Sequence, residues 1–258
     1  MVSRDTVGRM VPPLAVGIVA FIAIRLTMLP GVDFWDTGEL QTVGPVMGTA
    51  HPTGFPTYVL LAWFANIVLS PFGEPALRMN LLSALCVAGA AAVTVDLTRA
   101  LTRSVALGVM AGLGLAFTEI AWSIGTHAEG HSLHLLLIAI LFRALVAWED
   151  LAPGRSRDRR LIAAAVIFGL AMGNHSLTLL LAPAVGAYVL AVEPSIWRRR
   201  RLVAREAPEE AGTGSRPRGP SVSHHHRRHR HQRCGGHHRR SRGRVRCPGA
   251  DAHRSDRC

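Results

Sequence analysis

Residues 11–29 read V-P-P-L-A-V-G-I-V-A-F-I-A-I-R-L-T-M-L, an apolar run with one charge, Arg25, and then the turn Pro30-Gly31. A run of this length approaches the roughly 20 residues of helix that cross a hydrocarbon layer about 30 Å thick. No small-residue cleavage site lies between it and the turn, so it is read as a retained anchor rather than a cleaved signal. Working outward, further apolar blocks occupy 55–72, 81–97, 105–122, 133–148 and 161–192. Several are short enough to be buried soluble helices. Five or six such helices would need a polar covering that a chain of 258 residues, 49% hydrophobic, does not supply. The expected class is therefore an all-α polytopic membrane protein with about five to seven transmembrane helices, embedded in the cell membrane.

The formal net charge of +12 looks like a nucleic-acid signal until it is divided along the chain. Residues 1–211 hold 16 Arg against 15 acidic residues, a balance of +1, and residues 212–258 hold 13 Arg against two Asp, a balance of +11. The basicity belongs to the tail, and no specific nucleic-acid partner is expected. Two domains follow: residues 1–205 as a membrane module, and 206–258 as a disordered Arg/His-rich tail without apolar periodicity. His224–His226 and His237-His238 would allow metal capture there. Cys234, Cys247 and Cys258 lack the close pairing of a structural zinc site. The preferred reading of the tail is an out-of-frame translation that leaves the module truncated.

Arginine placement sets an expected topology. Arg4 and Arg9 put the N-terminus in the cytoplasm, whereas the 30–56 loop carries Asp33, Asp36 and Glu39 without Arg or Lys and is expected on the extracytoplasmic side. The four arginines at 155, 157, 159 and 160 mark a later cytoplasmic loop. The parity of crossings closes if the block from Phe55, interrupted by Pro71 and Gly73, is re-entrant. The segment from Trp122 to Ser132 then falls on the face of the first loop. The last block is interrupted by Gly173, Asn174, His175 and Ser176 and is read as two short helices meeting at a polar break.

The first loop concentrates the polar chemistry in Asp36-Thr37-Gly38-Glu39 and His51-Pro52-Thr53-Gly54-Phe55-Pro56. The plain reading of the first cluster is a helix start, with Asp36 accepting from the Glu39 amide. The plain reading of the second is a proline-rich turn, with His51 incidental. The functional reading makes a carboxylate a general base toward an acceptor hydroxyl, which suffices for one direct displacement with inversion. His51, with backbone amides exposed beside Gly38 and Gly54, would then hold a phosphate leaving group.

These two clusters, Asp36-Thr37-Gly38-Glu39-Leu40 and His51 to Tyr58, resemble the opening motif of the membrane glycosyltransferases related to the transmembrane protein O-mannosyltransferases. These belong to the GT-C superfamily, with bacterial relatives known as a membrane domain of unknown function. The resemblance runs through Arg78 to Ala84, Trp122 with Ala128-Glu129, and Gly169 to His175, covering roughly residues 15–195. Thr53 stands where the family often has a second proline, and His131 where a tyrosine usually follows the acid. The resemblance implies a GT-C-like module transferring a sugar, mannose by analogy, from a polyprenyl-phosphate carrier to a hydroxyl acceptor, by analogy a protein, at the extracytoplasmic face. Asp36 would be the base, with Glu39 supporting it or contacting the acceptor. His51, Gly54, Tyr58, His127, Glu129, Asn174 and His175 would contact substrate. No metal site is assigned, although a divalent cation is compatible with the acids.

Each secondary residue has a plainer alternative. Glu129 between His127 and His131 also reads as a solvated loop acid, and Asn174-His175 as a satisfied polar kink. Arg25 and Arg143 read as arginines snorkelling to headgroups, and Glu119 is unassigned. Two other functions remain open at this level: a transporter or channel component binding a cation at Asp36, Glu39 and the broken helix, and an inactive truncated fragment.

Overall fold

The computed structural model describes residues 4–52 and 54–196, which lie within a compact unit spanning Met1–Glu206. The readings made for the 206–258 tail, metal capture and disorder included, lie outside the described residues, as does Thr53. The described residues are helical and contain no strand: α1 (Arg4–Thr27), α2 (Trp35–Val46), α3 (Pro56–Val68), α4 (Pro75–Thr102), α5 (Val105–Ala116), α6 (Glu119–Thr126), α7 (Gly130–Glu149), α8 (Arg155–Asn174) and α9 (Ala182–Val192).

Helices satisfy their own backbone hydrogen bonds, the condition for lying in hydrocarbon. Segments Gly8–Thr27, Pro75–Thr102 and Gly130–Glu149 are long and apolar enough to cross a membrane. The pair α5 and α6, bent by 60° at Phe117-Thr118, makes a fourth if counted as one span. That is fewer than the five to seven expected. The difference lies in the shorter apolar helices, α3 and the 176–192 segment. The 13 residues of α3 reach only about 20 Å at 1.5 Å per residue. α1 shows why its surface suits lipid: Val16, Ala20 and Ile24 are buried, while Leu14, Ile18, Ile22 and Leu26 form an exposed apolar stripe at the same spacing of four. The chain is an all-α polytopic membrane protein.

α4 is the central element, packing against α1, α2, α3, α5, α6 and α7. Its alanines at 84, 88, 90 and 91 are buried and let neighbours approach closely. At Gly112 of α5 an added Cβ would lie 2.8 Å from the Ala91 carbonyl oxygen and 2.5 Å from Val95, so this contact admits no side chain. The expected polar break in the last apolar block is present: α8 ends at Asn174 and a 3-10 turn over Ser176–Leu181 precedes α9. Arg143 differs from expectation. Its Nε donates to Asp96 Oδ2 at 2.5 Å, so its charge is held by a half-buried ion pair between α7 and α4.

A buried network at one end of α4 fixes the loops beside the first-loop clusters. Asn80 donates to the Leu29 carbonyl at 2.9 Å, and its Oδ1 accepts from Gln41 Nε2 at 3.0 Å and the Ala128 amide at 2.8 Å. Gln41 in turn donates to Gly31 O and accepts from the Asp33 amide, both at 3.1 Å. One turn on, Ser83 Oγ accepts from the Glu129 amide at 3.0 Å. The first loop and the 127–129 segment therefore meet at the same end of the bundle.

Candidate functional site

α2 starts two residues earlier than a capping role for Asp36 requires. Phe34 is the N-cap residue, no side chain caps the helix, and Asp36 lies within the first turn. Asp36 is exposed. The first turn still suits an acidic residue, because unpaired backbone amides leave partial positive charge there. Gly38 allows the chain to fold back on itself: a Cβ would lie 2.4 Å from the Asp33 carbonyl oxygen.

Glu39 holds His51 by two bonds. The His51 amide donates to Glu39 Oε1 at 2.6 Å, and His51 Nδ1 lies 2.9 Å from Oε2. Against an ionised carboxylate the proton belongs on Nδ1, which leaves Nε2 for a ligand. The hydrogen bond from the His51 ring, opposed by partial desolvation and assisted by the His51 amide, holds the Glu39 carboxyl below the usual carboxylate range. Asp36, Glu39 and His51 each offer one ligand atom, all within 4.8 Å of one another. Two carboxylates and an imidazole at that spacing can hold a divalent cation.

The backbone around this cluster is unusual. Trp35, Met47 and Phe55 have φ of 60°, 52° and 44°, three of the four non-glycine residues with positive φ among those described. Each such residue costs about 1–2 kcal/mol, and strain of this kind gathers where geometry is over-determined by its surroundings. Gly54, with φ of 88°, donates its amide to the His51 carbonyl at 2.6 Å and closes the turn. The amide expected to be presented at Gly54 is thus used within the turn. Tyr58 is a packing residue: it is fully buried, and its hydroxyl points to the Leu40 carbonyl at 3.5 Å.

A second group lies across Phe55. The Phe55 ring is 5.3 Å from that of His51, 6.4 Å from His131 and 5.6 Å from His175. His131 and His175 are 4.9 Å apart, and His134 is 5.7 Å from His175. Glu129 is not a solvated loop acid. It caps α7, and its Oε1 accepts from the His131 amide at 3.3 Å and meets His131 Nδ1 at 2.7 Å. Burial raises the Glu129 carboxyl, and the hydrogen bond and charge of His131, with the charge of His127, outweigh it, so its affinity for protons is lowered. His127 itself is the C-cap residue of α6.

Asn174 and His175 reach the same place from α8. Asn174 Nδ2 donates to the Gly130 carbonyl at 2.9 Å, while its Oδ1 is buried without a hydrogen-bond partner among the described residues. His175 Nδ1 accepts from the Leu177 amide at 3.2 Å and so starts the 3-10 turn. The structure thus brings Asp36, Glu39 and His51 into one cluster and Glu129, Asn174 and His175 into its neighbour. Phe55, His131, His134, Gln41, Asn80 and Ser83 were not singled out from sequence as site residues. One signal was available: Asn80 and Ser83, and His131 and His134, are polar pairs three apart at the edges of apolar blocks, hence on one helix face.

Residues 36–197 match the family described as the Protein O-mannosyl-transferase TMEM260 N-terminal domain. A mouse (Mus musculus) protein named Protein O-mannosyl-transferase TMEM260 is 32% identical over 188 residues, covering 70% of this chain and 25% of the mouse protein. A Dictyostelium discoideum protein of the same name is 26% identical over 122 residues, covering 46% of this chain and 15% of the relative. The chain therefore spans about a quarter or less of the length of these curated relatives. No solved structure matches it. With the match extending from Asp36 through the break at Asn174-His175, the chain belongs to the TMEM260 N-terminal domain family of protein O-mannosyl-transferases.

Proposed function

We propose that this module carries the catalytic loop of an inverting GT-C glycosyltransferase that moves mannose from a polyprenyl-phosphate carrier to a protein hydroxyl at the extracytoplasmic face. The observation that carries the reading is an exposed Asp36 carboxylate beside the Glu39–His51 clasp, all three within 4.8 Å. Asp36 removes the acceptor hydroxyl proton as that oxygen attacks the anomeric carbon. The anomeric carbon–oxygen bond breaks, and the electron pair leaves with the carrier phosphate. Glu39 fixes the ring of His51, whose Nε2 contacts the departing phosphate; a proton there would stabilise the developing charge. The names of the relatives support mannose and protein as donor sugar and acceptor. The arginines near residues 4–9 and 155–160 support a cytoplasmic N-terminus.

Membranes containing the chain, given labelled polyprenyl-phosphate mannose and a Ser/Thr-rich peptide, are expected to label the peptide. Transfer that proceeds from a sugar nucleotide but not from the lipid carrier would overturn the donor assignment.

The cation-compatible spacing supports a second reading, in which Asp36, Glu39 and His51 would hold a divalent metal whose charge would stabilise the departing phosphate. Chelation separates the two readings: EDTA leaves transfer unchanged under the first and abolishes it under the second.

A further inference from the structure

The far end of α4 holds a different constellation. An open cavity of about 740 Å³ lies between α1, α4, α5 and α7, and Arg9, Arg99, Arg103 and Arg143 line it with Asp96 and Asp150. Four guanidinium groups face two carboxylates, a local excess of two positive charges. Asp96 is already shared, accepting from Arg143 at 2.5 Å and Arg99 at 3.4 Å. Arg99 also donates to the Arg9 carbonyl at 2.6 Å and so joins α4 to α1. Arg9 and Arg103 are exposed, and neither guanidinium has an ion-pair partner among the described residues.

Concentrating uncompensated arginine in a concave site costs self-repulsion unless an anion enters. Position identifies the anion. From Asn80 in the network beside the first loop to Arg99 is ~28 Å along one helix at 1.5 Å per residue, about the thickness of a hydrocarbon core. The cavity therefore lies near the opposite membrane face. Its apolar wall includes Leu14, which begins the exposed stripe that continues through Ile18 and Ile22. A free inorganic anion would make no use of that stripe, whereas acyl chains below a phosphate headgroup would. We propose that this cavity binds the phosphate headgroup of an anionic phospholipid from the leaflet opposite the first-loop site, with Arg9 and Arg103 contacting the phosphate and the Asp96–Arg143 pair holding the cavity open.

The test uses the full chain in neutral detergent, with bound lipid counted by native mass spectrometry, so that the arginines of 212–258 contribute equally to every arm. Phosphatidylglycerol is expected to bind at least about tenfold more tightly than phosphatidylcholine. Arg9→Gln with Arg103→Gln should weaken phosphatidylglycerol about 30-fold, from roughly fivefold per arginine at a membrane surface. Arg155→Gln with Arg159→Gln, at the start of α8 and outside the cavity, should leave it unchanged. Equal affinity for the two lipids, which needs no variant, overturns the proposal. So does undiminished phosphatidylglycerol binding in the Arg9/Arg103 variant, or equally tight binding of inorganic phosphate.

Discussion

Two glutamates in this protein grip a histidine by its backbone amide and its ring at once, Glu39 with His51 and Glu129 with His131. The chemistry is shared, but the sequence separation is not. Glu129 and His131 are two residues apart, so their bonds form as α7 starts and contribute mainly a helix cap. Glu39 and His51 are twelve apart, and their bonds tie the second turn of α2 to the loop that leads into α3. The longer clasp has a further carboxylate beside it, the exposed Asp36. A local pair stabilises an element, whereas a distant one sets the relative position of two groups that must act together.

The comparison can be broken most severely through what both pairs share, the network on α4. Asn80→Leu removes the acceptor for the buried Ala128 amide and the donor to the Leu29 carbonyl, and should cost about 2–4 kcal/mol. Unfolding monitored by helicity in detergent measures it, and a variant as stable as the parent would mean that the network does not join the two loops.

Glu39→Gln comes next. It should lower transfer about 10–100-fold while leaving helicity intact, and it should raise hydrogen exchange at the His51 amide. The matching change Glu129→Ala should cost about 1 kcal/mol as a lost cap, with exchange rising only in the first turn of α7. If the two substitutions perturb the His51 amide equally, the distinction between local and distant clasps fails.

The smallest effect is that of acid. The Glu39 carboxyl is held below its ordinary value of 4.5, so its contribution is complete above that pH and is lost as pH falls through the lower, folded value. Protection of the His51 amide should accordingly persist at pH 5 and fade below about 4.5, and Glu39→Gln should remove that pH dependence. Fading that begins near pH 6 would instead point to a group other than Glu39.

Part of this was legible in the sequence. The apolar blocks announced membrane helices, and the break at Gly173 to Ser176 was marked by Asn174 and His175 in an otherwise apolar run. Asp36, Glu39 and His51 stood out because acids and a histidine flanked by glycine and proline have little packing value. The kink at Phe117-Thr118 was overlooked although it carries a local signal: Thr118 caps α6, its hydroxyl accepting from the Ala121 amide. Tyr58 misled for a different reason: an aromatic inside a polar motif gives no sign of whether its ring faces a ligand or the core, and tertiary packing buried it. The Asn80 network was illegible because its partners come from loops on either side of α4, at Leu29, Gly31 and Ala128, and only the fold brings them together.

The most direct measurement of the central claim is the rate of mannose transfer by Asp36→Asn at saturating lipid donor, taken together with hydrogen exchange at His51. The account predicts a fall of about 100-fold or more in kcat with the His51 amide still protected by Glu39. An unchanged kcat with the clasp intact would contradict Asp36 as the base and move the chemistry away from the first loop.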